Sequence, residues 1–180
     1  MINTQTARML AQYKAWADKV MFESVAALPP GEAESERKTL FKTIIGTLNH
    51  IYVVDLIWQA HLEGREHGFK ARNIVEHPQL AALWAAQQKL NDWIIDWAKA
   101  QSEASLVEAV SFTFVNGTKA AMQRGEMFLH LVTHASYHRG WVAQMFFETG
   151  TPPPETDLSV FLCDTPHDWR RADYGSGLIE

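Results

Sequence analysis

Apolar residues recur at three- and four-residue spacing through four long stretches of the chain, the signature of amphipathic helices. In the first, Met9, Leu10, Tyr13, Trp16, Ala17 and Val20 follow the candidate N-caps Asn3 and Thr4. Leu28-Pro29-Pro30-Gly31 ends it, because proline removes a backbone donor and glycine frees the chain. Acidic residues from Glu32 to Glu36 then read as an exposed connection. The second stretch runs from near Lys38 to Leu62 and closes at Gly64. Phe41, Ile45, Leu48 and Tyr52 form one stripe, which Ile44, Ile51 and Trp58 widen. His50, Val54, Ile57 and His61 trace a second line at helical spacing. A helix apolar around most of its circumference belongs at the centre of a bundle.

Residues 64–77 are polar and glycine-containing, hence a loop. A third helix begins at Pro78 and buries Leu80, Leu83, Trp84, Gln87, Leu90, Asn91, Ile94 and Trp97. Near Val107 the period falls to two. Val110, Phe112 and Phe114 alternate with Ser111 and Thr113, and Asn116-Gly117 is a type I′ turn signal. The pattern predicts a β-hairpin over 108–121. A last helix spans Gln123 to Thr149 and stops at Gly150 and Pro152-Pro153-Pro154. Beyond it, 151–180 form a C-terminal extension with one short apolar element, Leu158 to Leu162. The expectation is an all-α chain, one domain over 1–180. It is an up-down-type four-helix bundle with a short hairpin before the last helix and an irregular tail.

Composition narrows the function. The 180 residues are 47% hydrophobic and 21% charged, enough to bury a core without staples. A net charge of −5 and the lack of a basic stripe argue against nucleic acid as a partner. The single cysteine, Cys163, excludes an internal disulfide and any Cys-rich zinc module. No apolar run approaches the roughly 18 residues that cross a bilayer. MINTQTARML also lacks a signal-peptide layout, so the expected setting is cytoplasmic, with no membrane partner. No nucleophile triad, phosphate loop or paired-carboxylate pattern is present, and Cys163 sits in the tail with no evident base. Trp16, Trp58, Trp84 and Trp97 fall on apolar stripes and read as core.

What stands out is eight histidines, three of them inside FLHLVTHASYHRG. His130, His134 and His138 follow at i+4 steps, each one turn plus about 40°. Neighbours share a face, whereas His130 and His138 have drifted apart by about 80°. One ion can therefore be gripped by two adjacent members; a polar stripe or hydrogen-bonded core histidines are the competing reading. The apolar neighbours Phe128, Leu131, Val132 and Ala135 leave no fully solvated face for such a stripe. His50, midway along the most apolar helix, is the best further ligand, or else a core histidine satisfied by a neighbour. His61 lies at the end of that helix, where a partly charged ring would favour the dipole. His67 and His77 fall in loops and His167 in the tail, all read as surface.

The run HLVTHASYHRG, with Asn116-Gly117 before it and Gly150-Thr151-Pro152-Pro153 after it, resembles the DinB-like family. These are four-helix bundle proteins named for damage-inducible protein B. Tyr13-Lys14-Ala15-Trp16-Ala17, Leu48-Asn49-His50 with Asp55 and Trp58, and Asp157-Leu158 also fit, in order along nearly the whole chain. The resemblance implies a divalent metal held by His50, His134 and His138, with His130 as a pocket neighbour. Where the family usually has His-His-Arg-Gly-Gln, this chain reads Tyr137-His138-Arg139-Gly140-Trp141. Trp141 thus replaces a polar residue and is expected to shape the substrate cavity. Asp55 and Glu126 can orient imidazoles, although each alone suits a solvated face. Zinc, nickel or iron would all accept imidazole ligands.

The resemblance further implies a metal-dependent transferase of thiols or a hydrolase, acting on a small molecule with a low-molecular-weight thiol as cosubstrate. It also implies a homodimer. A non-catalytic protein that binds metal or ligand is the alternative. Haem is disfavoured, because it needs two axial ligands rather than three histidines.

Overall fold

A computed structural model describes residues 2–164; His167 and Trp169 lie outside that range. The helices are α1 (Thr4–Ala26), α2 (Ile44–Leu62), α3 (Leu80–Ala100), the single turn α4 (Glu103–Leu106), α5 (Arg124–Phe146) and α6 (Leu158–Asp164). Strands β1 (Ala109–Thr113) and β2 (Lys119–Gln123) form the hairpin between α4 and α5. The four long helices make the all-helical bundle that the periodicity predicts. α1 packs chiefly on α3 and α2 on α5, while α1–α5 and α2–α3 contacts close the ring.

Two apolar clusters fill the bundle, and their order along each helix gives the direction of the chain. α1 and α5 enter the cluster of Leu10, Ile94 and Phe128 first and then that of Met21, Leu48 and Phe146. α2 and α3 pass through them in reverse, so the four helices run up, down, down, up. At about 1.5 Å per residue α2 is roughly 28 Å long. An extended connection over 63–79 covers that distance easily and lets α3 run parallel to α2.

α2 begins at Ile44, later than the Lys38 start read from periodicity. The Thr43 hydroxyl caps it by accepting the Gly46 N–H at 2.8 Å. Lys42 ahead of it has φ 64°, a left-handed conformation that cannot continue a helix. Phe41 is therefore in the preceding turn and not on the helical stripe. It lies so close to the helix that a Cβ at position 46 would collide with the Phe41 carbonyl, which only glycine permits.

The hairpin pairs Ala109 with Gln123 through Thr113 with Lys119. Its turn is not type I′, since Gly117 has a positive φ (85°) and Asn116 does not. Gly117 N–H donates to Phe114 O, and Phe114 N–H to Thr118 O, both at 2.8 Å. The sequence therefore makes a type I turn followed by a left-handed glycine. In the tail, α6 seats Phe161 against Tyr13 and Trp16, with ring centroids 5.8 and 5.5 Å away.

Near the level where the two apolar clusters meet, six polar side chains are sealed from water. Lys14 Nζ reaches Asp18 Oδ2 and Asp55 Oδ2, both at 2.7 Å. Arg139 Nη1 donates to Asp18 Oδ1 at 2.9 Å, and Gln87 and Asn91 bridge the set from α3. All six are at most 4% exposed. Asp55 thus belongs to a buried ion cluster, correcting its reading as a solvated-face residue. Burial alone would push Lys14 down, but the two carboxylates outweigh it and hold its pKa up. Burial likewise pushes Asp18 up, and Lys14 with Arg139 overcomes it. Asp55, which has Lys14 but not Arg139, is raised to about 6, chiefly by burial.

Candidate metal centre

The packing of α2 on α5 brings His50 against His134 and His138, which stand one turn apart on α5. One ring nitrogen from each lies within 4.8 Å of the others. His50 Nε2 and His134 Nε2 are 3.2 Å apart. Two nitrogens each about 2.0–2.1 Å from one ion stand about 2.9–3.4 Å apart for bond angles between octahedral and tetrahedral. The His50–His134 spacing fits two ligands of one divalent ion, and His138 lies within reach of the same point. The donor set is nitrogen only, because no carboxylate or thiol joins the group among the described residues.

The tautomer of His50 is settled by its other nitrogen. Nδ1 lies 3.0 Å from the Arg72 carbonyl, which can only accept, so Nδ1 carries the proton and Nε2 presents its lone pair to the cluster. His134 Nδ1 and His138 Nδ1 are buried without a hydrogen-bond partner. Burial lowers the pKa of all three rings. His134 falls to about 2, with repulsion from His138, His50, His130 and Lys14 adding to burial. His138 falls to about 4, His50 adding to burial. At neutral pH these are uncharged donors, the form a metal ion requires.

Aromatic rings close one side. Phe41 stacks on His50 with centroids 4.1 Å apart and planes at 19°. Trp141 meets His138 edge-on at 4.8 Å and Phe41 at 5.7 Å. Trp141 therefore packs against the predicted ligand. The cleft that opens beside His134, about 480 Å³, is walled instead by Trp58, Phe114 and His130. His130 rests on Trp58 at 4.5 Å and stands 5.7 Å from His134, a neighbour of the cluster and not a member.

Other sequence expectations divide. Glu126 accepts the Gln123 backbone N–H at 2.8 Å and completes a helix cap. Asp55 bonds within the ion cluster, so the acceptor that orients His50 is a backbone carbonyl. His61 is 4% exposed, and burial, with His67 beside it, lowers its pKa to about 4. It is neutral and packed against Trp58 and Phe112, not the dipole-bound cation expected. Residue pattern could not reveal Arg72, because any residue supplies a carbonyl. Phe41 was visible as an aromatic, but its place in a turn was not.

Comparison with known proteins matches most of the chain. Protein DinB of Bacillus subtilis (strain 168) is 22% identical over 158 residues, covering 85% of this chain and 91% of that protein. The model of the DinB family matches residues 1–170, from before α1 to beyond α6, and the chain therefore belongs to the DinB family.

Proposed function

We propose that this protein is a metal-dependent enzyme of the thiol S-transferase or hydrolase type, working on a small molecule at His50, His134 and His138. One observation carries the reading. Three neutral imidazoles converge with no other ligand beside them among the described residues, and one of them, His134, also faces a cleft large enough for a small molecule. Membership of a family that is in general metal-binding supports it. Bound there, zinc, nickel or iron would keep open positions and lower the pKa of a thiol or water that reached it.

The chain's own residues supply the rest. The Arg72 carbonyl holds His50 in one tautomer, and Phe41 and Trp141 shield the far side. His130 and Trp58 line the way in. Cys163, the one cysteine of the sequence, does not line the cleft, so this reading takes its thiol nucleophile from outside the protein.

Protein purified without a histidine tag should hold about one transition metal per chain by elemental analysis. It should turn over a chlorinated nitrobenzene with one member of a panel of small thiols, or else hydrolyse a simple ester. His138→Ala should abolish both metal and turnover. Activity that survives this substitution would remove the proposed mechanism, and bound metal without turnover would leave only a binding role.

A further inference from the structure

We propose that the cleft beside His134 selects a substrate with a carboxylate or similar anionic group on a flat apolar body. What happens to that substrate rests on the preceding reading; its recognition does not. Lys70 and Arg72 both line the cleft, and no Asp or Glu does. Neither cation pairs with a carboxylate among the described residues. In a chain of net charge −5, two unneutralised cations in one concave wall make a local field of opposite sign to the whole. A buried or half-buried anion there gains charge-assisted hydrogen bonds, which arginine gives in fork geometry.

The placement of this wall is not accidental to the histidine cluster. The Arg72 carbonyl is the group that holds His50 Nδ1 at 3.0 Å, so the segment carrying both cations is tied to α2 beside the site. In the same cleft, Trp58 and Phe114 meet edge to face with centroids 6.4 Å apart, and His130 packs on Trp58. Planar apolar groups pack well against such surfaces. An anion held by Lys70 and Arg72 thus has its apolar body on the aromatic wall and His134 within the same cleft. The adjoining cleft of about 490 Å³, past His61, mixes Arg65 with Glu66 and lacks this bias.

The test uses the full chain, both metal-loaded and chelator-stripped, with 4-nitrobenzoate and its neutral methyl ester as probes. Binding is read by equilibrium dialysis. The acid should bind at least about tenfold tighter than the ester in both states, as one charge-assisted hydrogen bond allows. Lys70→Gln with Arg72→Gln should erase that preference while ester binding, metal content and melting temperature stay unchanged. The double variant should fold, since both positions are exposed and Arg72 serves His50 through its backbone. Lys70→Glu with Arg72→Glu should invert the preference. Phe114→Ala should weaken acid and ester alike.

Equal affinities for acid and ester would overturn the proposal. So would a preference that survives the double glutamine variant, or one that disappears on stripping the metal, which places the carboxylate on the ion. A protein without metal or turnover that keeps the charge preference would refute the enzyme reading and leave this one standing.

Discussion

Two polar clusters lie inside the same bundle, both using α2 and α5, and they solve burial in opposite ways. In the Lys14–Asp18–Asp55–Arg139 cluster two cations meet two anions, and each charge has a partner within 2.9 Å. Some atoms remain unpaired, among them Asp55 Oδ1 and Arg139 Nε, but net charge is zero inside the protein. The histidine cluster has no such closure. Its rings repel any proton that would charge them, and two Nδ1 atoms have no partner. Buried polar groups of this kind are costly unless something satisfies them. The first cluster balances its own charge, whereas the second gathers uncharged ring nitrogens with no counter-charge beside them among the described residues.

The sharpest way to break the comparison is to remove one member from each. Asp18→Ala strands Arg139 and leaves Lys14 with one carboxylate, which should cost about 3–5 kcal/mol of unfolding free energy in chemical denaturation. His134→Ala in metal-free protein should move stability by no more than about 1 kcal/mol, because no hydrogen bond to carbonyl or carboxylate is lost. Zinc or nickel at about a hundred times its Kd should then stabilise the parent by about 2.7 kcal/mol and His134→Ala not at all. Comparable losses from both substitutions in metal-free protein would show that the histidines are structural in the same sense as the ions.

The sequence was informative wherever a side chain's identity does the work. Periodicity located the long helices, and histidine spacing with the family resemblance named the residues that the fold brings together. It failed where the decisive group is backbone or long-range. Lys38 to Phe41 carry an apolar period that Lys42 in a left-handed conformation interrupts. Asp55 looks like a solvated acid until α1 and α5 supply Lys14 and Arg139 from elsewhere in the chain. Asn116-Gly117 signalled a hairpin, but the loop length that chooses between turn types depends on strand register, which two residues do not encode.

Acid should separate the clusters next. His61 and His138 are held near 4 and His134 near 2, so below about pH 6.5 the unfolded chain binds protons that the folded one refuses. Stability is therefore lost as pH falls from 6.5 toward 4. Asp55 acts the other way: its raised pKa lets the folded state take a proton between about 6 and 3.8, which offsets part of the loss. Melts of metal-free protein at pH 7, 6 and 5 should fall monotonically. His61→Gln should flatten the slope, because one proton-binding ring is gone from the unfolded state. A melting temperature that rises on acidification would mean that Asp55 dominates and the histidines titrate normally.

The smallest effect concerns the lid on the histidine side. Phe41 covers the His50 face at 4.1 Å in a nearly parallel stack, whereas the ion cluster is enclosed by the bundle itself, with Arg139 set 5.5 Å from the centroid of the Tyr13 ring. Phe41→Leu keeps an apolar cover over His50 but removes the ring-on-ring contact, a term of about 0.5–1.5 kcal/mol. The Arg72 carbonyl still fixes the tautomer, so the site should bind metal, only more weakly. A chelator-competition titration should report an affinity lowered by roughly two- to tenfold. The acid slope of stability should keep its sign, since the buried rings and Asp55 are untouched. Unchanged affinity would reduce Phe41 to a lid against water. A loss as complete as that of His134→Ala would instead show that the turn over 39–43, and not the helices alone, builds the site.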